Sequence, residues 1–304
     1  MKVLILPFLL LCFLPGLAQR IDLDTIQLFQ DIQALSADSM EGRRSGTIGN
    51  RKAQQYLESR FKSIGLKPFG NSYRQHFRLQ HKQEVVEQAA NIIGYIPGKT
   101  DKAIVVTAHY DHLGQRNGNI FNGADDNASG VSALLAVAAY FQRQKPEHTL
   151  IFAALDGEEL GLQGASAFLN NPPVALSKIL LNVNLDMLSI NNKGELYASG
   201  TYHNPWLAPY LQQVEPLANA KLMLGHDQPE QGQHDWTNQS DHYQFYKRQI
   251  PFVYFGVEDH PHYHKATDTF AQINRPFYAD ATTLVLNFLQ LFDQSYKPAS
   301  NYTD

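Results

Sequence analysis

Cysteine is all but missing from this chain of 304 residues, and its single example, Cys12, lies in the opening segment. A protein that sheds that segment has no disulfide to staple it, which excludes a disulfide-rich scaffold. Blocks of like charge are missing as well. Lys and Arg number 25 against 29 Asp and Glu, a net charge of −4 with no basic run. Neutralising phosphates needs clustered cations, so nucleic acid is excluded as a partner. Nor is there a long uninterrupted apolar stretch. The best, 3–17, carries Pro7 and Pro15 and is too short to span a bilayer, so no membrane span is expected. Internal repeats, low-complexity tracts and long linkers are absent too, leaving no boundary at which to divide the chain.

What is present begins with export. Lys2 supplies a positive start, 3–17 an apolar centre, and Gly16 and Ala18 small residues at the two positions that determine cleavage. Residues 1–18 therefore predict a secretory signal peptide, and 19–304 a single domain in the periplasm or secreted beyond it. With 43% hydrophobic and 18% charged residues, that domain can bury a sizeable core.

From residue 103 onward, strands alternate with helices. A continuous apolar run at 103–108 reads as a strand covered on both faces, 149–155 as a second buried strand, 179–185 as a third and 252–255 as a further strand. Apolar spacing predicts helices over 131–143, 158–170, 205–214, 241–247 and 275–295. Helices over 24–36 and 50–64, strands near 73–79 and 90–95, and a short strand at 222–224 complete the pattern. Such alternation predicts an α/β fold with helices on both sides of a sheet. The loop Glu41-Gly-Arg-Arg-Ser-Gly-Thr-Ile-Gly49 is rich enough in glycine to suggest a phosphate cradle. No strand precedes it and no Lys-Ser/Thr follows, so that role is not assigned.

Polar clusters follow the strand ends. His109-Tyr110-Asp111 comes after the first, Asp156-Gly157-Glu158-Glu159 after the second, Asp186 after the third, and 258–264 after the fourth. Beyond the carboxyl ends of its strands is where an open α/β sheet binds ligands. The stretch from Gly123 to Gly130 sets Asp125 and Asp126 side by side at a loop-to-helix junction. Singly, each group has a plain structural reading as a helix cap, a first-turn acid or a solvated loop histidine. Their coincidence at strand ends has none. Two histidines, His109 and His264, and four carboxylates, Asp125, Glu158, Glu159 and Asp186, exceed what one zinc needs. They suit two ions roughly 3.5–4 Å apart that share a carboxylate. One carboxylate is then left over as a general base. Asp111 and Asp268 stand close enough in sequence to orient His109 and His264.

Six stretches occur in a recognisable order across residues 41–291: His109-Tyr-Asp-His-Leu-Gly114, Asn122-Gly-Ala-Asp-Asp-Asn-Ala-Ser-Gly130, Gly157-Glu-Glu-Leu-Gly161, Asn184-Leu-Asp-Met187, Ser240-Asp-His242 and Tyr263-His-Lys-Ala-Thr-Asp268. Together they resemble the co-catalytic zinc aminopeptidases of metallopeptidase family twenty-eight, a family that also holds glutaminyl cyclase, glutamate carboxypeptidase and the transferrin receptor. The resemblance implies a three-layer α/β/α sandwich around a mixed, mostly parallel sheet. It implies two Zn²⁺ ions, one on His109 and Asp186, the other on Glu159 and His264. Asp125 would bridge them, with a cis peptide joining it to Asp126. Glu158 would be the catalytic base, Asp111 and Asp268 the supports of the two histidines. The implied partners are peptides with a free N-terminus, hydrolysed by a water activated between the ions.

The chain departs from the family pattern at three points. Trp236-Thr-Asn-Gln239 stands where some members place a tyrosine before Ser-Asp-His, which leaves Asn238, Tyr243 or His260 to stabilise an oxyanion. Ala266 replaces a frequent proline, and no protease-associated insert separates Gln80 from Asn91. Glutaminyl cyclase, with one zinc on the same scaffold, is the main alternative. Cyclases tend to replace the second Asp of the pair, and Asp126 is kept. A non-catalytic ectodomain would have lost ligands that are all present. Carboxypeptidases and dipeptidases share the metal set, so the ligands alone do not separate them from an aminopeptidase.

Overall fold

Period-two burial sets the architecture. In β4 (Ala103–His109) and β7 (Thr149–Leu155) all residues but Thr149 are buried. Successive side chains point to opposite faces. Ile104, Val106 and Ala108 join one core with Leu150, Phe152 and Ala154, while Ala103 and Val105 join another with Ile151 and Ala153. A strand buried on both faces needs a layer against each.

The computed structural model describes residues 23–297, so the leader expected over 1–18 lies outside the described residues. The chain opens with α1 (Thr25–Leu35), capped by the Asp24 carboxylate, and α2 (Ile48–Ile64), capped by the Thr47 hydroxyl. Strands β1 (Lys67–Pro68), β2 (Arg74–His81) and β3 (Glu84–Ile96) follow, then β4 and a small hairpin of β5 (Gly114–Arg116) and β6 (Asn119–Phe121). Next come α3 (Gly130–Gln142), β7, α4 (Gln163–Asn170), β8 (Ile179–Leu185), β9 (Glu195–Ser199), α5 (Ala208–Leu211) and β10 (Lys221–Leu224). The chain closes with α6 (His242–Lys247), β11 (Phe252–Gly256) and α7 (Arg275–Ser295). Among the described residues no helix is long and apolar enough to cross a membrane.

Nine strands form one mixed sheet in the order β1-β3-β7-β4-β8-β11-β9-β10, with β2 paired to β3 at the edge. Its centre, β7-β4-β8-β11, is parallel, and β3 and β9 run antiparallel on either side. Residues of α1, α2, α3 and α7 fill one core, and Ala165, Phe168 and Leu169 of α4 with Phe245 of α6 fill the other. The fold is thus the three-layer α/β/α sandwich that the sequence implies. From β4 the chain passes through α3 to β7 on one side, and from β7 through α4 to β8 on the other. This reversal about β4 opens a crevice at the strand carboxyl ends.

Several elements differ from expectation, among them the short strands β1, β5 and β6 and helix α5, which is shorter than the 205–214 expected. Strand β9 was not anticipated, because it is five residues long and lies in a stretch without a sustained apolar run. Helix α4 starts at Gln163 rather than 158. The intervening Glu158–Leu162 turn is held open because the Asp111 carboxylate accepts the Glu158 and Glu159 backbone N–H groups, at 3.1 and 3.3 Å. That turn, not a helix, carries two of the acids.

Candidate active site

The parallel centre of the sheet delivers its functional groups to one rim. His109 is the last residue of β4, Asp186 follows β8, Glu158 and Glu159 follow β7, and His264 lies in the loop beyond β11. Asp126 enters from the turn that leads into α3. That turn fits closely, since a Cβ on Gly130 would meet the Leu185 carbonyl oxygen at 2.4 Å. Only glycine lets the start of α3 approach the end of β8 so nearly.

Two groups of donor atoms result, and Asp126 belongs to both. His109 Nε2 stands 3.2 Å from Asp186 Oδ1 and 3.4 Å from Asp126 Oδ1. On the other side His264 Nε2 is 3.1 Å from Asp126 Oδ2 and 3.7 Å from Glu159 Oε1. His112, unremarked in the sequence beyond its place in a motif, also faces Asp126 and Glu159. The donor set is that of a divalent ion such as zinc, imidazole nitrogen with carboxylate oxygen. Hydrogen bonding within the cluster does not account for it, because Glu159 Oε1 and both His112 ring nitrogens are buried without a partner. Among the described residues no Lys or Arg makes an ion pair with Asp126, Glu158, Glu159 or Asp186. The residues present therefore fit a pair of divalent cations.

Three expectations are corrected by this geometry. The carboxylate shared by the two groups is Asp126, not Asp125. Asp125 is turned away and fully engaged. Its Oδ1 accepts from the Ser189 amide at 2.6 Å and hydroxyl at 2.8 Å, and its Oδ2 lies 2.9 Å from His260 Nε2. Likewise the cis peptide joins Asp126 to Asn127 rather than Asp125 to Asp126. Asp268 supports the turn and not the His264 ring: its carboxylate accepts the Asp125 N–H at 2.9 Å and the Asp126 N–H at 3.1 Å. The loop from 257 to 269 is not helical, so a four-residue spacing there does not place side chains together. Asp111 does flank His109, whose Nδ1 is 3.1 Å from the Asp111 backbone oxygen and 3.8 Å from its Oδ1.

Glu158 faces the cavity without being tied to a partner. Desolvation pushes its carboxyl well above the ordinary glutamate value, and Asp241, Asp186 and Glu159 push the same way against the pull of His109. Asp186 behaves oppositely. Burial would raise it, but His109 and the Ser240 hydroxyl, 2.7 Å from Oδ2, hold it below the usual range. Neighbouring carboxyls are thus pushed in opposite directions by their surroundings.

The glycine-rich loop at 41–49 turns out to be a brace. Arg43 is fully buried and donates to four backbone oxygens: Leu35 at 2.7 Å, Tyr110 at 2.8 Å, Asn122 at 2.6 Å and Gly123 at 2.9 Å. Its guanidinium thereby fixes the loop after His109 to the loop before Asp126. Burial lowers it only to about 10, so it stays charged beneath the acids. Ser45 and Asn50 add bonds of 2.7 and 3.0 Å to Asp156. Nothing in the sequence near Arg43 signals this, because its partners are main-chain atoms of remote segments.

The rim opens into a cavity of about 420 Å³ lined by Asp126, Glu158, Glu159, Asp186 and His264, with Trp236, Met187 and Tyr263 among its apolar walls. Of the three residues considered for an oxyanion, Asn238 lines it. His260 is committed to Asp125.

Comparison with known proteins agrees with this picture. Residues 91–289 match the profile of peptidase family M28. The vacuolar membrane protease of Lodderomyces elongisporus is 28% identical over 195 residues, which is 59% of this chain and 19% of that protein. The alkaline phosphatase isozyme conversion protein of Escherichia coli is 27% identical over 194 residues, 59% of this chain and 56% of that protein. The chain thus spans well under two thirds of the length of these relatives. Among solved structures, a zinc aminopeptidase from Bacillus subtilis superposes with a TM-score of 0.72 at 16% identity, covering 92% of this chain and 98% of that one. A glutaminyl cyclase of Bacteroides thetaiotaomicron bound to N-acetylhistamine gives 0.72 at 19% identity, covering 89% and 98%. Both likenesses speak for the fold alone.

Two variants test the geometry. Asp126→Ala should empty both metal positions at once, whereas Asp125→Ala should keep its metal and lose stability through the missing Ser189 bonds. Elemental analysis of the purified proteins decides, and full occupancy in Asp126→Ala contradicts the assignment. Arg43→Met strands four buried carbonyls and should cost on the order of 3 kcal/mol or more in urea unfolding. A change below about 1 kcal/mol would show that the brace is dispensable.

Proposed function

The chain belongs to peptidase family M28, and from that membership we propose that it is a zinc-dependent aminopeptidase that removes residues from the N-terminus of peptides. One observation carries the choice of end. The cavity presents Asp126, Glu158, Glu159, Asp186 and Asp259, and no Lys or Arg is among the described residues that line it. Asp126, Glu159 and Asp186 would be neutralised by the two ions and Glu158 is kept as the base, which leaves Asp259 as the wall acid that can meet a protonated α-amine. Among the described lining residues there is no guanidinium or ammonium to hold a terminal carboxylate.

His109, Asp126 and Asp186 would hold one ion and Glu159, His264 and again Asp126 the other. When bound, such ions polarise a carbonyl and render water acidic near neutral pH. The remaining chemistry falls to Glu158. Its carboxylate takes a proton from water as the oxygen attacks the scissile carbonyl carbon. It returns that proton to the amide nitrogen as the C–N bond breaks, so the amine leaves neutral and Glu158 is ionised again. Ser240 holds Asp186 in place by its 2.7 Å bond, and Asp111 holds the Glu158–Glu159 backbone. The same reading takes 1–18 as an export leader and 19–304 as one catalytic domain acting in the periplasm or outside the cell, both carried by the sequence pattern.

Glu158→Gln should keep its metal and lose kcat by on the order of 10²–10⁴-fold. A rate near wild type would remove it as the base. A peptide amide with a free N-terminus should be hydrolysed at that end, and the N-acetylated form roughly 100-fold more slowly, with chelation abolishing both rates and Zn²⁺ restoring them. Equal cleavage of both forms would sink the aminopeptidase reading. Loss of ammonia from an N-terminal glutamine peptide, with its peptide bonds intact, would replace it by the cyclase.

A further inference from the structure

His112 sits three residues past His109, where β4 gives way to the loop. Its ring is buried, and neither nitrogen has a hydrogen-bond partner among the described residues. Nδ1 nevertheless stands 2.9 Å from Glu159 Oε1 and 3.6 Å from Asp126 Oδ2. The shorter contact is not a hydrogen bond, since the ring N–H direction misses Glu159, whose Oε1 is itself without a partner. Taking an imidazole nitrogen and a carboxylate oxygen out of water for no bond is costly. A third body between the two atoms removes that cost.

The ring is guided there by the backbone. Gly123 has a φ of +58°, and a Cβ on it would lie 2.5 Å from His112 Cδ2. Any other residue at 123 would push the imidazole aside. From the opposite, more exposed side, His264 Nε2 reaches the same two oxygens at 3.1 and 3.7 Å. Four donors, two nitrogens and two oxygens, are therefore spaced 2.9, 3.6, 3.1 and 3.7 Å apart along the edges the structure records. Ligands bonded to a tetrahedral zinc at about 2.0–2.1 Å lie roughly 3.3 Å from one another. The four separations straddle that value.

We propose that His112 Nδ1 is a fourth protein ligand of the ion held by Asp126, Glu159 and His264. The two positions then differ in kind. The one with His112 is closed by protein, as structural zinc sites are, while the one on His109, Asp126 and Asp186 has three protein donors and room for a substrate atom. The first ion is bound tightly and exchanges slowly, and the second is the labile one. The inference rests on the metal dependence proposed above and not on which end of a peptide is cut.

Apo protein titrated with Co²⁺ against a chromophoric chelator reads both sites. Wild type should bind two ions with affinities at least tenfold apart, the tight one giving the intense visible band of a four-coordinate ion. His112→Phe, which fills the space but offers no donor, should weaken the tight site by roughly 100-fold, dim its band and leave the weaker site within about twofold. His112→Asn, able to hold Glu159 through an amide N–H but a poor ligand, should behave like His112→Phe. Wild-type affinity and band in His112→Asn would show a mere hydrogen-bonding prop and overturn the proposal. Should neither variant fold, ¹⁵N-histidine NMR of wild type loaded with ¹¹³Cd²⁺ decides. Three coupled imidazoles are expected, and only two would overturn the fourth ligand. A wild-type protein that binds no divalent ion fails at the earlier, metal-dependent step and takes this proposal with it.

Discussion

Like charges do not gather at the mouth of a buried crevice unless something of opposite sign holds them there. Here Asp126, Glu158, Glu159 and Asp186 converge on the carboxyl ends of four parallel strands, and Arg43, the buried cation beneath them among the described residues, spends its hydrogen bonds on backbone oxygens. The acids of this region differ in how they are satisfied, and Asp186 is satisfied in two ways, facing His109 while accepting from the Ser240 hydroxyl. Asp111, Asp125, Asp156 and Asp268 accept hydrogen bonds from amides and hydroxyls and act as scaffolding. Asp126 and Glu159 meet mainly imidazoles, and Glu158 meets open space. A buried carboxyl group that is neither hydrogen-bonded to the scaffold nor paired with Lys or Arg is a candidate to meet an ion or a substrate.

That division explains what the sequence disclosed and what it withheld. The doubly buried strands β4 and β7 were plain, because runs so rich in apolar residues need covering on both sides. The carboxyl ends of those strands then fixed the region of the site. Choosing between Asp125 and Asp126 was another matter. Adjacent side chains in an irregular turn point in directions that no periodicity encodes, and the family pattern was read one residue early. The spacing of Asp268 from His264 misled for a related reason, since a four-residue interval brings side chains together only in a helix. Arg43 was invisible because its role is defined by carbonyls 8 to 80 residues away.

The scaffold also shows why membership of the family stops short of specificity. A zinc aminopeptidase and a glutaminyl cyclase superpose on this chain equally well. Metal-holding residues are contributed by strand ends that the fold fixes, whereas the cavity walls come from loops such as 236–239 and 257–264 that vary without disturbing the sheet. The charge of those walls, wholly acidic where it is charged apart from histidine, is what points to the amine end of a substrate.

Everything depends on a pair of divalent ions meeting at Asp126. Crystals of the wild-type protein grown with Zn²⁺ and measured at the zinc absorption edge test this most directly. Two anomalous peaks are predicted, one between His109 and Asp186, the other between Glu159 and His264, with Asp126 contributing an oxygen to each. An active enzyme whose map shows no peak there, or whose Asp126 touches neither ion, would contradict the account.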